Sequence, residues 1–125
     1  MSEICNVKPK FYDTDVALPA SATHSTPSEA ISVAGLDYAT IYLIGQGAAG
    51  ASGAVTFYLS SSGDGTHYST AGTPLVLKLN GANEVVSEPY VMDLRGINSL
   101  KILKIVNGDA GAVSGANALL TCVKQ

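Results

Sequence analysis

Residues 54–66 read AVTFYLSSSGDGT. Val55, Phe57 and Leu59 alternate with Thr56, Tyr58 and Ser60, the period of two that turns one set toward a core and the other outward. Gly63, Asp64 and Gly65 then end the run with residues that accept positive φ or close an Asx turn at little cost. The spacing predicts a half-buried strand followed by a turn that Asp64 stabilises, and no helix.

The same reading extends outward in both directions. ISVA (31–34), YATIYLI (38–44), PLVLKLN (74–80), VVSEPYVMD (85–93), SLKILKIVN (99–107) and ANALLTCVK (116–124) are short runs rich in β-branched and aromatic residues. In 74–80, Leu75, Leu77 and Leu79 face inward and Val76 and Lys78 outward. Pro89 cannot donate to a neighbouring strand, which assigns 85–93 to a sheet edge or a bulge. Leu100, Ile102, Leu103 and Ile105 fit no single alternation, so a bulge or a two-sided environment is expected there. Asn80-Gly81 and Asn107-Gly108 mark further turns, and 93–96 reads as a turn or a single 3₁₀ turn. No segment carries a ten-residue amphipathic pattern. The expectation is an all-β antiparallel β-sandwich or Greek-key barrel, jelly-roll or Ig-like, of about seven to eight short strands.

Residues 1–30 keep no period for long. They hold Pro9, Pro19 and Pro27, and Phe11 and Tyr12 form their aromatic anchor. They read as an extended N-terminal arm with one short strand near 7–12, ahead of a β-sandwich domain over 31–125. Removing 1–27 is then expected to leave a folded core.

The composition narrows the function. Charged residues make up 14% of the 125, against roughly 25% in an ordinary soluble domain. Ala, Ser, Gly and Thr together supply about two fifths of the chain. Seven basic residues and a net charge of -3 argue against a nucleic-acid face. No run is long enough for a membrane-spanning helix, and no secretory leader is read at the N-terminus. Lys78, Lys101 and Lys104 form a small basic patch if their strands are neighbours; solvated lysines protecting exposed strands are the expected reading. Cys5 and Cys122 are expected as separate thiols. A bridge between them is the alternative, worth about 4 kcal/mol through chain entropy.

Motifs that suggest chemistry fail in context. Residues 45–50 match G-x-G-x-x-G, but a strand follows where a dinucleotide site needs a helix. A hairpin loop is expected instead. Asp13 and Asp15 lack further oxygen ligands in register for calcium. His24 and His67 have no partner at ligand spacing, so no zinc site is expected. No serine sits in a nucleophile elbow and neither cysteine has an evident base. The chain is therefore read as no enzyme, with no catalytic residues, no metal and no cofactor. Tyr42, Tyr58 and Tyr68 offer stacking surfaces for a glycan as an alternative role.

IGQGAAGASGAV (44–55) echoes VNGDAGAVSGAN (106–117) at an offset of 62 residues. Compositional bias accounts for such an echo; alternatively, two hairpins present similar small-residue loops at one end of the sandwich. Candidate contact residues are Phe11 and Tyr12 in the arm and Gly47, Gly50, Gly111 and Gly115 in the loops.

The segment from Val55 through Gly63-Asp64-Gly65-Thr66-His67-Tyr68, set between strand 38–44 and strand 99–107, resembles the hairpin of small β-sandwich proteins of tailed bacteriophages, in particular capsid decoration (head accessory) proteins. The resemblance spans about 31–124 and departs from those proteins at Tyr68, where tryptophan is common. It implies a structural protein on the capsid exterior, assembled in the host cytoplasm and bound to the major capsid protein or other virion proteins. It also implies a homo-oligomer, with a trimer as one form. An adhesive or carbohydrate-binding module of a tail, fibre or surface appendage is the alternative.

Overall fold

The computed structural model describes residues 3–4 and 10–124. Cys5 and the side chain of Cys122 lie outside the described residues, and with them the question of a bridge. Ten strands follow in order: β1 Glu3–Ile4, β2 Val16–Leu18, β3 Thr23–His24, β4 Ile31–Ser32, β5 Tyr38–Gly47, β6 Ala54–Ser62, β7 Thr73–Lys78, β8 Val85–Asp93, β9 Ser99–Asn107 and β10 Val113–Lys124. No helix occurs among the described residues.

Every pairing is antiparallel. The first sheet runs β1-β10-β5-β8, with β2 also on β10; the second runs β3-β9-β6-β7, with β4 also on β9. From β5 onward the chain passes to the second sheet for β6 and β7, back for β8, across for β9 and back for β10. This is the double Greek key of a jelly roll. The expected β-sandwich is present, in its jelly-roll form.

The alternation read from the sequence supplies the layer between the sheets. Val55, Phe57, Leu77, Leu100, Ile102 and Ile105 are fully buried, and Leu59, Leu75 and Leu79 nearly so. The expected irregularity in β9 is a bulge: Tyr58 stands opposite Lys104 and Leu59 opposite Ile102, which leaves Leu103 unpaired. β8, which carries Pro89, is an edge strand of the first sheet. Ser60, expected to face out, is buried because the β6–β7 connection folds back on it: its Oγ donates to the Ser69 carbonyl at 2.7 Å. Residues 94–97 form a turn closed by Ile97 N–H donating to the Leu94 carbonyl, with Gly96 at positive φ.

Residues 10–32, expected mostly as an arm, belong to both sheets of the sandwich. β2 pairs with β10, while β3 and β4 pair with β9. Phe11, Val16 and Leu18 enter the same core as Phe57. Proline and small residues obscure this in the sequence, because strands of two or three residues are too short to show a period. The packing of 10–15 rests on Asn117. Its Oδ1 accepts from Tyr12 N–H at 3.1 Å, and its Nδ2 donates to the Tyr12 carbonyl and to Asp15 Oδ1, each at 2.8 Å. One buried amide thus pairs with both backbone groups of Tyr12, as a neighbouring strand would.

Candidate interaction surfaces

The two echoed segments meet. They are not hairpin loops; each carries the chain from one sheet to the other, 48–53 from β5 to β6 and 108–112 from β9 to β10. The β7–β8 connection joins them, through Gly50 N–H to the Gly81 carbonyl at 2.8 Å and Leu79 N–H to the Gly53 carbonyl at 3.1 Å. Three inter-sheet connections therefore share one end of the sandwich.

Asp109 ties that end together. Its Oδ1 accepts from Gly53 N–H at 2.8 Å and Ser52 N–H at 3.1 Å, and its Oδ2 accepts from Gly111 N–H at 2.9 Å. The backbone N–H of Gly111, with that of Gly53, holds the carboxyl below the usual carboxylate range. Asn107 completes the arrangement. Its Oδ1 accepts from Asp109 N–H at 2.9 Å and its Nδ2 donates to the carbonyls of Pro19 and Gly111. Gly53 must be glycine for this approach, since a Cβ there would stand 2.9 Å from Asp109. Beside the tie lies a shallow depression of about 580 Å³, lined by Leu18, Pro19, Gln46, Gly47, Ala112 and Val113 among others. The sequence reading has Asn107 only as turn chemistry and does not single out Asp109 or Asn117, whose counterparts at the offset of 62 are Gly47 and Val55.

The six candidate contact residues separate. Phe11 is fully buried, so it is a core residue of its own chain and offers no surface. Tyr12 is also buried. Its hydroxyl donates to the Thr26 carbonyl at 2.9 Å, and burial pushes its pKa up to about 12. Gly47 is buried in β5, where Leu79 and Ala51 leave little room for a Cβ. Gly50 is exposed at the tied end, and Gly111 lies beside Asp109. Gly115 occupies the β10 irregularity between Ser114 and Asn117 at φ 63°, a conformation that glycine adopts without strain.

The outer face of the second sheet carries three of the basic residues, Lys78, Lys101 and Lys104. Lys101 Nζ stands 4.2 Å from the Tyr68 ring centre and Lys104 Nζ 4.7 Å from that of Tyr58. Lysine thus engages one face of each ring, on two of the three tyrosines expected as stacking surfaces. Lys78 lies on the same sheet, opposite Ala54. His67, expected without a partner, pairs through Nδ1 with Asp64 Oδ2 at 2.6 Å. Asp64 Oδ1 accepts from the backbone N–H of His67 and Thr66 at 2.8 Å each, so it stabilises the turn as expected; these bonds, His67's first, lower its pKa. No group of three or more metal-ligating side chains occurs among the described residues.

The open side of the sandwich, where β7 and β8 are the sheet edges, is closed by Tyr90. Its hydroxyl accepts from Val76 N–H at 3.0 Å and donates to the Val76 carbonyl at 2.8 Å. Behind it lies an apolar cavity of about 230 Å³ reaching Ile41, Leu59 and Met92.

The outer face of the first sheet is different. Register places Thr40, Tyr42, Ile44 and Gln46 of β5 beside Val91, Pro89, Ser87 and Val85 of β8, and beside Thr121 and Leu119 of β10 on the other side. Val91 is 76% exposed and Val85 64%. Among the described residues, charge near this face stands at its margins, in two ion pairs and in Asp37, which acts on Arg95. Arg95 grips Asp93 at 2.7 Å by Tyr38, and Lys10 meets Asp15 at 3.6 Å beyond Leu119.

No protein-family model matches the chain, and no curated protein matches it in sequence. Solved structures do. A chain of the T13 infectious bursal disease virus particle is 13% identical and aligns with 97% of this chain and 31% of its own, at a TM-score of 0.50. The Bacillus endospore appendage protein, from disulfide-linked pili, is 18% identical over 98% of this chain and 97% of its own, at a TM-score of 0.43. TmCBM61, solved in complex with β-1,4-galactotriose, is 12% identical over 95% of this chain and 85% of its own, at a TM-score of 0.43. This chain spans about a third of the viral chain. What the first of these likenesses shows is the fold alone: this chain is a β-sandwich of the kind found in a virus particle.

Proposed function

We propose that this chain is a non-enzymatic structural protein of a virus particle, of the capsid decoration kind, which docks on the outside of the shell and stabilises it. The surface proposed to meet the major capsid protein is the tied end of the jelly roll. The observation that carries the reading is the Asp109 tie, which fixes two connections of small residues to each other, with the β7–β8 connection held to them by backbone hydrogen bonds. A surface ordered in advance loses little conformational freedom on binding. Ala48, Ala49, Gly50 and Ala112 are exposed there and carry no charge, so a partner's backbone approaches closely without desolvating ions. Likeness of fold to a virus-particle chain is compatible with this role, as is the resemblance at the Asp64 turn.

The test uses preformed shells of the virus whose genome carries the sequence. The purified protein is expected to sediment with the shells and raise their disruption temperature. Ala112→Glu is expected to remove both effects while leaving the protein's own melting curve unchanged. Failure of the wild-type protein to sediment with cognate shells overturns the proposal.

A further inference from the structure

We propose that two copies of this chain associate face to face through the outer surface of the first sheet, about a two-fold axis. The inference concerns a different surface from the tied end and does not depend on shell binding.

Self-complementarity is the argument. A two-fold contact presses a patch against itself, so any net charge on it meets the same charge. Across β10, β5 and β8 the outward positions between the margins are Thr, Tyr, Ile, Val, Pro, Ser, Leu and Gln. The Arg95–Asp93 and Lys10–Asp15 pairs at the margins are each neutral, and Asp37 adds a carboxylate beside Arg95. The outer face of the second sheet carries Lys78, Lys101 and Lys104 and would repel its own copy. For a chain of net charge -3, the first sheet is the broad face on which a second copy meets least repulsion. Val85, Val91, Tyr38 and Tyr42, four of the five exposed large apolar residues, lie on it.

Size sets the strength. Ten residues at about 3.3 Å and three strands at about 4.8 Å give a patch on the order of 450 Å² per copy. That lies below the roughly 800 Å² per partner of a stable complex. The dimer is accordingly weak in free solution and gains strength where copies are held close together.

Sedimentation velocity on the purified chain, from about 10 μM to about 1 mM, reads this directly. A concentration-dependent monomer–dimer equilibrium is expected. Val91→Lys is expected to weaken it at least about tenfold, while Val76→Lys, on the opposite sheet, leaves it unchanged; far-ultraviolet circular dichroism confirms that both variants are folded. A monomer at every concentration overturns the proposal, as does a dimer that Val91→Lys does not weaken. Shell binding enters neither outcome, so this inference and the proposed function fail separately.

Discussion

Asp109 accepts three backbone N–H groups that come from two connections far apart in the sequence. Those bonds favour the carboxylate, so its pKa in the folded protein lies below the unfolded value of about 3.9. A group shifted this way contributes stability that is fully present above the unfolded pKa and is lost as pH falls through the folded one. Asp109→Asn is therefore expected to lower the melting temperature at pH 7, and the gap from wild type is expected to narrow as pH falls below about 4. Thermal melts of the two proteins across pH 2–7 check this; a gap that stays constant with pH contradicts it. In the sequence, Asn107-Gly108-Asp109 reads only as turn chemistry. An aspartate that closes its own turn and one that ties two distant connections look alike until the connections are seen to meet.

Edges are the vulnerable elements of a sandwich, because their unpaired N–H and C=O groups can recruit another strand. β7 shows how one edge is closed: Pro74 has no N–H, Tyr90 takes both groups of Val76, and Lys78 carries charge. Tyr90→Phe removes one side-chain partner from that edge. It is expected to cost about 1 kcal/mol in urea unfolding and to increase aggregation on heating; an unchanged midpoint contradicts this. Much at this scale was legible in the sequence. Strands 85–93 and 99–107 have the expected bounds, Pro89 marked an edge, and the broken alternation near Leu103 marked a bulge. β5 and β10 run three residues further than their apolar runs, at Gly45–Gly47 and Val113–Gly115, because glycine in a sequence looks like loop. Pairing across the sheet persists through them once both neighbours are in place.

For the whole molecule, residues 10–32 are part of the sandwich and not an arm beside it. Low complexity and three prolines suggested a dispensable arm, yet β2 and β3 are strands of the sandwich and Phe11 and Leu18 fill its core. Loss of a buried phenylalanine alone costs roughly 3–5 kcal/mol, a large share of the 5–15 kcal/mol that holds a typical domain folded. Deleting residues 1–27 is thus expected to abolish the cooperative thermal transition, and a truncated chain that keeps it contradicts the packing described here. The sequence could not show this, since what fixes the segment, β9, β10 and Asn117, lies far along the chain. Low charge, by contrast, was legible from composition and has a location in the fold: the exposed Ala48, Ala49, Gly50 and Ala112 of the tied end and the middle of the outer face of the first sheet.

β10 follows every other strand in the chain, yet β1, β2 and β5 all pair with it. During synthesis at about 5–20 residues per second, most of the first sheet must wait without its central partner. Until residues 113–124 leave the ribosome, β2 and β5 have no strand between them and Phe11 N–H lacks its acceptor, the Ala118 carbonyl. The first sheet therefore closes only after translation of β10, and the nascent chain spends those seconds with one edge of β5 open to chaperones or to other nascent copies of itself.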